Sequence, residues 1–89
     1  MTSLASDTDT RVMNVHVDEC ALTVDLMDGR TISTPLFWYP RLANATQVQR
    51  ENWELCGAGQ GIHWPDIDED LSTVGMLRGA RAVQPGKRA

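Results

Sequence analysis

Apolar and polar residues alternate twice near the start of the chain. Over 12–18, Met13, Val15 and Val17 share one side while Asn14, His16 and Asp18 share the other. A period of two reads as a strand with one buried face. After Glu19 and Cys20 the alternation resumes over 21–27, with Leu22, Val24 and Leu26 on the inner side. Asp28-Gly29 then offers a two-residue hairpin turn of the type that needs positive φ at both positions. The β-branched run Thr31-Ile32-Ser33-Thr34 makes a third strand that stops at Pro35. These three segments predict an antiparallel meander.

From residue 46 the period changes. Thr46 and Gln49 fit a capping box, with Thr46 as N-cap. A helix is expected to reach about Leu55, with Val48, Asn52 and Leu55 on one stripe and Arg50/Glu54 as a surface pair. Gly57 would end it. Gly57, Gly59 and Gly61 then lead into Ile62-His63-Trp64, read as a short fourth strand that joins the meander. The alternate glycines are read as scaffold, leaving room for an aromatic ring or helix against bare backbone. Ser72 is an N-cap candidate for a last helix over 73–78, with Val74 and Leu77 turned inward and Gly79 as its stop. The fold class is therefore α+β: a three-stranded antiparallel meander plus a fourth short strand, with two or three short helices on one face.

The domain organisation follows from composition. Residues 1–11 and 80–89 are polar and aperiodic and read as flexible tails around a single small domain over 12–79. A core this small gains from a partner.

The formal charge of −4 hides an asymmetry. Residues 12–77 hold ten acids against three bases, a net of −7, while the last twelve residues carry Arg78, Arg81, Lys87 and Arg88. The folded body would repel phosphates, so no nucleic acid is expected on it. A basic protein surface would be attracted. No apolar run approaches the roughly 20 residues that span a bilayer, and a leader with a basic start and an apolar stretch is missing. The expected place is the cytoplasm, with Cys20 and Cys56 reduced rather than bridged.

Candidate chemistry gathers in two stretches. Phe37, Trp38 and Tyr39 are consecutive, so they cannot all face one core, and Arg41 follows just beyond Pro40. Part of this run is expected on the surface, where aromatics favour protein contacts. The second stretch is His63-Trp64-Pro65 with Asp66, Asp68, Glu69 and Asp70. The spacing of the acids imitates a calcium loop, yet Leu71 stands where that loop needs glycine and Leu77 where it needs glutamate. The acids read instead as a solvated corner. The glycines lack the Lys-Ser/Thr sequel of a phosphate loop. Cys20, Cys56, His16 and His63 show no ligand spacing, so neither metal nor cofactor is expected. No catalytic residue is assigned, although His63 oriented by Asp66 or Asp68 is the place where a small hydrolase or transferase would be centred.

Four blocks together carry a family resemblance. They are Asp28-Gly29-Arg30 in the meander; Pro35-Leu36 with Tyr39-Pro40-Arg41-Leu42; Ala45-Thr46 leading to Arg50 and Trp53; and Gly61-Ile62-His63-Trp64-Pro65 with Asp68-Glu69-Asp70 and Leu77-Arg78-Gly79. From Val12 to Gly79 the chain resembles the small bacterial domain-of-unknown-function family numbered twenty-four forty-two. The resemblance implies no established activity. It implies an arrangement in which such a protein is often encoded beside a second small protein, as in toxin–antitoxin pairs. Some relatives append a helix-turn-helix, and this chain shows none after Gly79.

The expectation is thus a non-enzymatic protein-binding module, antitoxin-like or regulatory, with a small basic protein as partner. Its binding residues would come from Phe37, Trp38, Tyr39, Arg41, His63, Asp66, Asp68, Glu69 and Asp70. Alternatives are the small enzyme and a homodimeric structural module joined through the aromatic run or a sheet edge. In isolation, a monomer or weak homodimer is expected.

Overall fold

A computed structural model describes residues 8–81. The α+β class holds, but the strands form two sheets. The first is the meander β1 (Val12–Val17), β2 (Ala21–Leu26) and β3 (Thr31–Pro35), in the order β1-β2-β3. The second is β4 (Glu54–Cys56), β5 (Gly61–Trp64) and β6 (Glu69–Ser72), in the order β4-β5-β6 and again antiparallel. Between the sheets lie a 3₁₀ turn (Leu36–Trp38), α1 (Pro40–Ala43) and α2 (Gln47–Glu51). Helix α3 (Thr73–Leu77) closes the order. The strand at 62–64 therefore does not join the meander; it is the centre of a second sheet.

Three local differences have clear physical causes. A bulge between Val12 and Asn14 inserts one residue into β1, so Val12, Val15 and Val17 are buried and Met13 is exposed. At the β2–β3 hairpin only Gly29 takes positive φ, at +96°. Gly29 N–H donates to Leu26 O and Leu26 N–H to Arg30 O. The loop is thus three residues, Met27–Gly29, with a left-handed glycine at its end rather than a two-residue turn. Helix α2 stops at Glu51, because Asn52 leaves helical geometry at φ −95°, ψ 76° and the chain turns into β4.

That early stop reverses the expected faces. Val48 is 76% exposed and Leu55 is exposed too, while Arg50 is buried. The capping box itself is present in both directions, Gln49 N–H to Thr46 Oγ1 and Thr46 N–H to Gln49 Oε1. In α3 the Ser72 cap is also present, accepting from Gly75 N–H at 2.9 Å. The inward residues there are Thr73 and Met76, not Val74 and Leu77.

The glycine stretch does not run as one extended chain. Gly57, Ala58 and Gly59 all take positive φ and form the loop of the β4–β5 hairpin. Only Gly61 lies in a strand, and there a methyl group would meet Cys56 Sγ at 2.9 Å.

One apolar cluster joins the two sheets. Val12, Val15, Leu22, Val24 and Leu26 come from the first and Ile62 and Trp64 from the second, with Leu36, Tyr39, Leu42 and Met76 between. Polar contacts also tie the chain before β1 to the β4–β5 loop, and β1 itself to α2. Thr10 Oγ1 donates to Gln60 Oε1 at 2.7 Å, and Gln47 Nε2 donates to Val17 O at 2.8 Å. Of the segments expected as tails, residues 1–7 and 82–89 lie outside the described residues. Asp9–Arg11 are tied to the β2–β3 loop through Asp28 N–H to Asp9 O and Met27 N–H to Arg11 O. No helix among the described residues is long and apolar enough to cross a membrane.

Candidate functional site

The two candidate stretches meet at one corner of the molecule, brought together by α1. Pro40 opens that helix with its fixed φ, and Arg41, one residue on, donates from Nη1 to the main-chain oxygen of Asp68. This contact sets the Leu36–Trp38 turn and α1 beside the β5–β6 hairpin. The hairpin loop, Pro65–Asp68, is closed by Ile67 N–H to Trp64 O and by Asp68 at φ +54°, a left-handed position that aspartate tolerates better than most residues.

The aromatic run divides as its consecutive spacing requires. Tyr39 is fully buried, with its hydroxyl donating to Thr34 Oγ1 at 3.1 Å. Burial pushes its phenol pKa up. It is a core residue and leaves the list of surface candidates. Phe37 is 70% exposed, and Trp38 is half-buried, edge-on to Tyr39. Over the outer faces of Phe37 and Trp38 lies the Arg81 guanidinium, 6.0 Å and 4.7 Å from the two ring centres.

The four acids also divide. Asp66 accepts from Asn52 Nδ2 at 3.0 Å, and both residues are exposed. The Asp68 side chain is exposed. Glu69, expected in a solvated corner, is buried instead, because it pairs across the hairpin with Trp64 on the core side of the sheet. Burial raises its carboxyl pKa, the Arg41 charge and the Asp70 main-chain N–H work against that rise, and the charges of Asp70 and Asp68 add to it. Asp70 faces outward and meets His63 Nδ1 at 2.7 Å. The expected orienting partners of His63, Asp66 and Asp68, are replaced by Asp70 directly across the β5–β6 ladder. On the other side of His63 the ladder partner is Glu54.

The corner thus offers the exposed Phe37 and the half-buried Trp38 with a guanidinium over them, an acidic hairpin, and a histidine held between strands by a carboxylate. Its chemistry suits recognition of positive charge. Among the described residues no group of three His, Cys, Asp or Glu side chains is placed to hold a metal ion, and Cys20 and Cys56 are free and exposed.

Sequence reasoning missed Arg81, which was assigned to a tail. Its contact with Trp38 spans more than forty positions of chain, and no local pattern announces it. It also missed Asn52 and Glu54, both placed on a helix that ends before them. The signal for the true course was the loop Gly57–Gln60, set between Leu55 and Ile62 as a hairpin connection would be.

A second recess lies away from this corner. It has a volume of about 600 Å³ and is lined by His16, Asp18, Glu19, Cys20, Gln47 and Arg50 at the end of β1. Asp18 is held below the usual carboxylate range, chiefly by accepting from Cys20 N–H and Ala21 N–H.

A family model described as "Protein of unknown function (DUF2442)" matches residues 12–82. Among solved structures, the chain is similar to a protein of unknown function from Rhodospirillum rubrum ATCC 11170, at 29% identity and a TM-score of 0.73 over 88% of this chain and 96% of that one. It is also similar to an uncharacterised protein from Chromobacterium violaceum, at 21% identity and a TM-score of 0.71 over 88% of this chain and 73% of that one. The second likeness is one of fold alone. Among curated proteins no sequence matches.

Proposed function

The chain belongs to the DUF2442 family, and from that premise we propose that it is a non-enzymatic protein-binding module, antitoxin-like or regulatory, whose partner presents a basic surface. The observation that carries this reading is the exposed ring of Phe37, with the half-buried Trp38 next to it, at the corner where Arg41 meets the Asp66, Asp68 and Asp70 hairpin. Large exposed aromatics at the surface of a small domain favour a partner, and the adjoining carboxylates select its charge.

The test is capture from the native host by the tagged chain, compared with an Asp66→Asn, Asp68→Asn, Asp70→Asn variant. One partner should be recovered at low salt and released as ionic strength approaches about 1 M, where screening acts within about 3 Å. The variant should recover at least about tenfold less, the loss of a little over 1 kcal/mol. Recovery of nothing at low salt, or of a partner indifferent to both salt and the variant, would overturn the reading.

The 2.7 Å contact of His63 Nδ1 with Asp70 favours a second reading, a small hydrolase or transferase. A carboxylate on Nδ1 fixes the tautomer and leaves Nε2 as a base. His63→Gln with unchanged thermal stability but lost turnover on a panel of simple esters and phosphoesters would support it. A loss of stability would assign the pair to cross-strand support.

A further inference from the structure

We propose that Phe37 and Trp38 form an arginine-binding shelf, occupied within the chain by Arg81 and vacated for an arginine in a basic segment of the partner. This rests on the protein-binding reading above and names the chemistry recognised at that same corner.

The shelf already holds the group it is inferred to bind. The Arg81 guanidinium lies 4.7 Å from the Trp38 ring centre and 6.0 Å from that of Phe37, within the range of about 6 Å where a ring face attracts a cation. Among the described residues the arginine–carboxylate ion pairs are Arg11–Asp9 and Arg30–Asp28. Among the described residues, then, the charge of Arg81 is met by rings and not by a carboxylate.

Its position follows from the end of α3. Gly79, at φ +79°, lets Ala80 N–H reach back to Gly75 O and Gly79 N–H to Met76 O. These are the two bonds of a Schellman stop, which sets the direction of the chain as it leaves the helix. Arg81 is two residues beyond the glycine. The helix end thus delivers a guanidinium to the rings.

The contact is of a kind that exchanges readily. Phe37 is 70% exposed, and a cation on exposed rings is held far more weakly than a desolvated one. Arg81 also lines a recess of about 190 Å³ whose walls include Asp70, Ser72 and Met76. Its departure would bare the ring faces at the edge of a recess that Asp70 also lines. Arginine fits this better than lysine, since a planar guanidinium stacks on a ring while an ammonium acts as a point charge. The neighbouring Asp66 and Asp68 would draw a segment carrying further positive charge. Occupation in cis scales the affinity by the fraction of chains in which the shelf is open.

The experiment uses the full chain and two synthetic peptides, one arginine-rich and one with lysine at every arginine. Binding is followed by the indole N–H resonance of Trp38, assigned with Trp38→Leu. Arg81→Gln should shift that resonance on its own and bind the arginine peptide at least about threefold more tightly than the parent. The lysine peptide should bind less well than the arginine peptide, and adding Phe37→Ala should weaken arginine binding several-fold. Phe37 is exposed, so that variant is expected to fold. Equal binding by parent and Arg81→Gln, equal binding of the two peptides, or indifference to Phe37→Ala would each overturn the shelf. If these fail while salt-sensitive capture through Asp66, Asp68 and Asp70 persists, the module reading stands without it. Loss of that capture as well brings the module reading down.

Discussion

The indole Nε1 of Trp64 donates a hydrogen bond of 3.0 Å to the main-chain carbonyl of Arg50, and both residues are buried. One bond therefore ties the centre of the second sheet to α2. Trp64→Ala should remove the ring and orphan the carbonyl together, costing about 3–5 kcal/mol, enough to unfold a domain this small. Trp64→Phe keeps most of the volume and should cost less. Chemical denaturation midpoints beside the parent decide the order.

Arg50 is the second half of that connection. Its guanidinium donates to Leu42 O and Ala43 O at 3.0 Å and to Gln47 Oε1 at 3.3 Å, satisfying the end of α1. Arg50→Ala should cost about 2–4 kcal/mol because the Ala43 carbonyl loses its guanidinium donor and the Leu42 carbonyl is left with the main-chain N–H of Ala45. Arg50→Lys should recover little, since a single ammonium cannot reproduce the fork. A lysine variant as stable as the parent would show that the charge alone matters.

The glycines of the β4–β5 hairpin differ in kind. At Gly61 a methyl group would sit 2.9 Å from Cys56 Sγ and 3.5 Å from two carbonyl oxygens. Gly61→Ala should cost about 1–3 kcal/mol, and Cys56→Ala should restore part of that loss, a coupling readable in a double-mutant cycle. Ala58, at φ +58° within the same loop, carries strain of roughly 1 kcal/mol. Ala58→Gly should be neutral or stabilising. Destabilisation there would mean the methyl group makes a contact of its own.

Glu69 sets a pH dependence with a definite sign. Its folded-state pKa is raised by burial, so its contribution favours folding below the ordinary glutamate pKa of about 4.3 and is lost as pH rises through the higher folded value. Glu69→Gln should therefore gain stability relative to the parent on going from about pH 4 to pH 7. Asp18 and Asp28 act in the opposite sense. Hydrogen bonds hold both below the ordinary value, so their contribution is present at neutral pH and fades in acid. Urea midpoints of parent and Glu69→Gln at the two pH values isolate the one carboxyl.

The first sheet was legible because its signals are local. Leu22, Val24 and Leu26 alternate without interruption, and Gly29 marks the turn. The face of Met13 was not legible: Val12 and Met13 are both apolar, and the bulge that chooses between them leaves no mark in composition. The second sheet was hidden for two reasons. Strand β4 is exposed along its whole length, so it has no apolar face to alternate, and β6 begins inside the acidic run. A buried Glu69 is the kind of residue that patterning assigns to solvent. At the corner, sequence indicated the residue types but not their partners. It named Phe37, Arg41 and Asp70 among the candidates without their partners, and Asp70 rather than Asp66 or Asp68 holds His63.

The two sheets have a consequence for the order in which the chain can assemble. Within each, every strand pairs only with its neighbour in sequence, through the loops at 18–20, 27–30, 57–60 and 65–68. Hairpins of this kind close on a microsecond scale and need no distant segment. Each half can thus begin forming as soon as its own residues are free, with the burial of Trp64 as the step that commits both. Topologies dominated by such short-range pairing fold quickly. Amide exchange should then resolve two protected groups, one per sheet, that open together only when the shared core around Trp64 is lost.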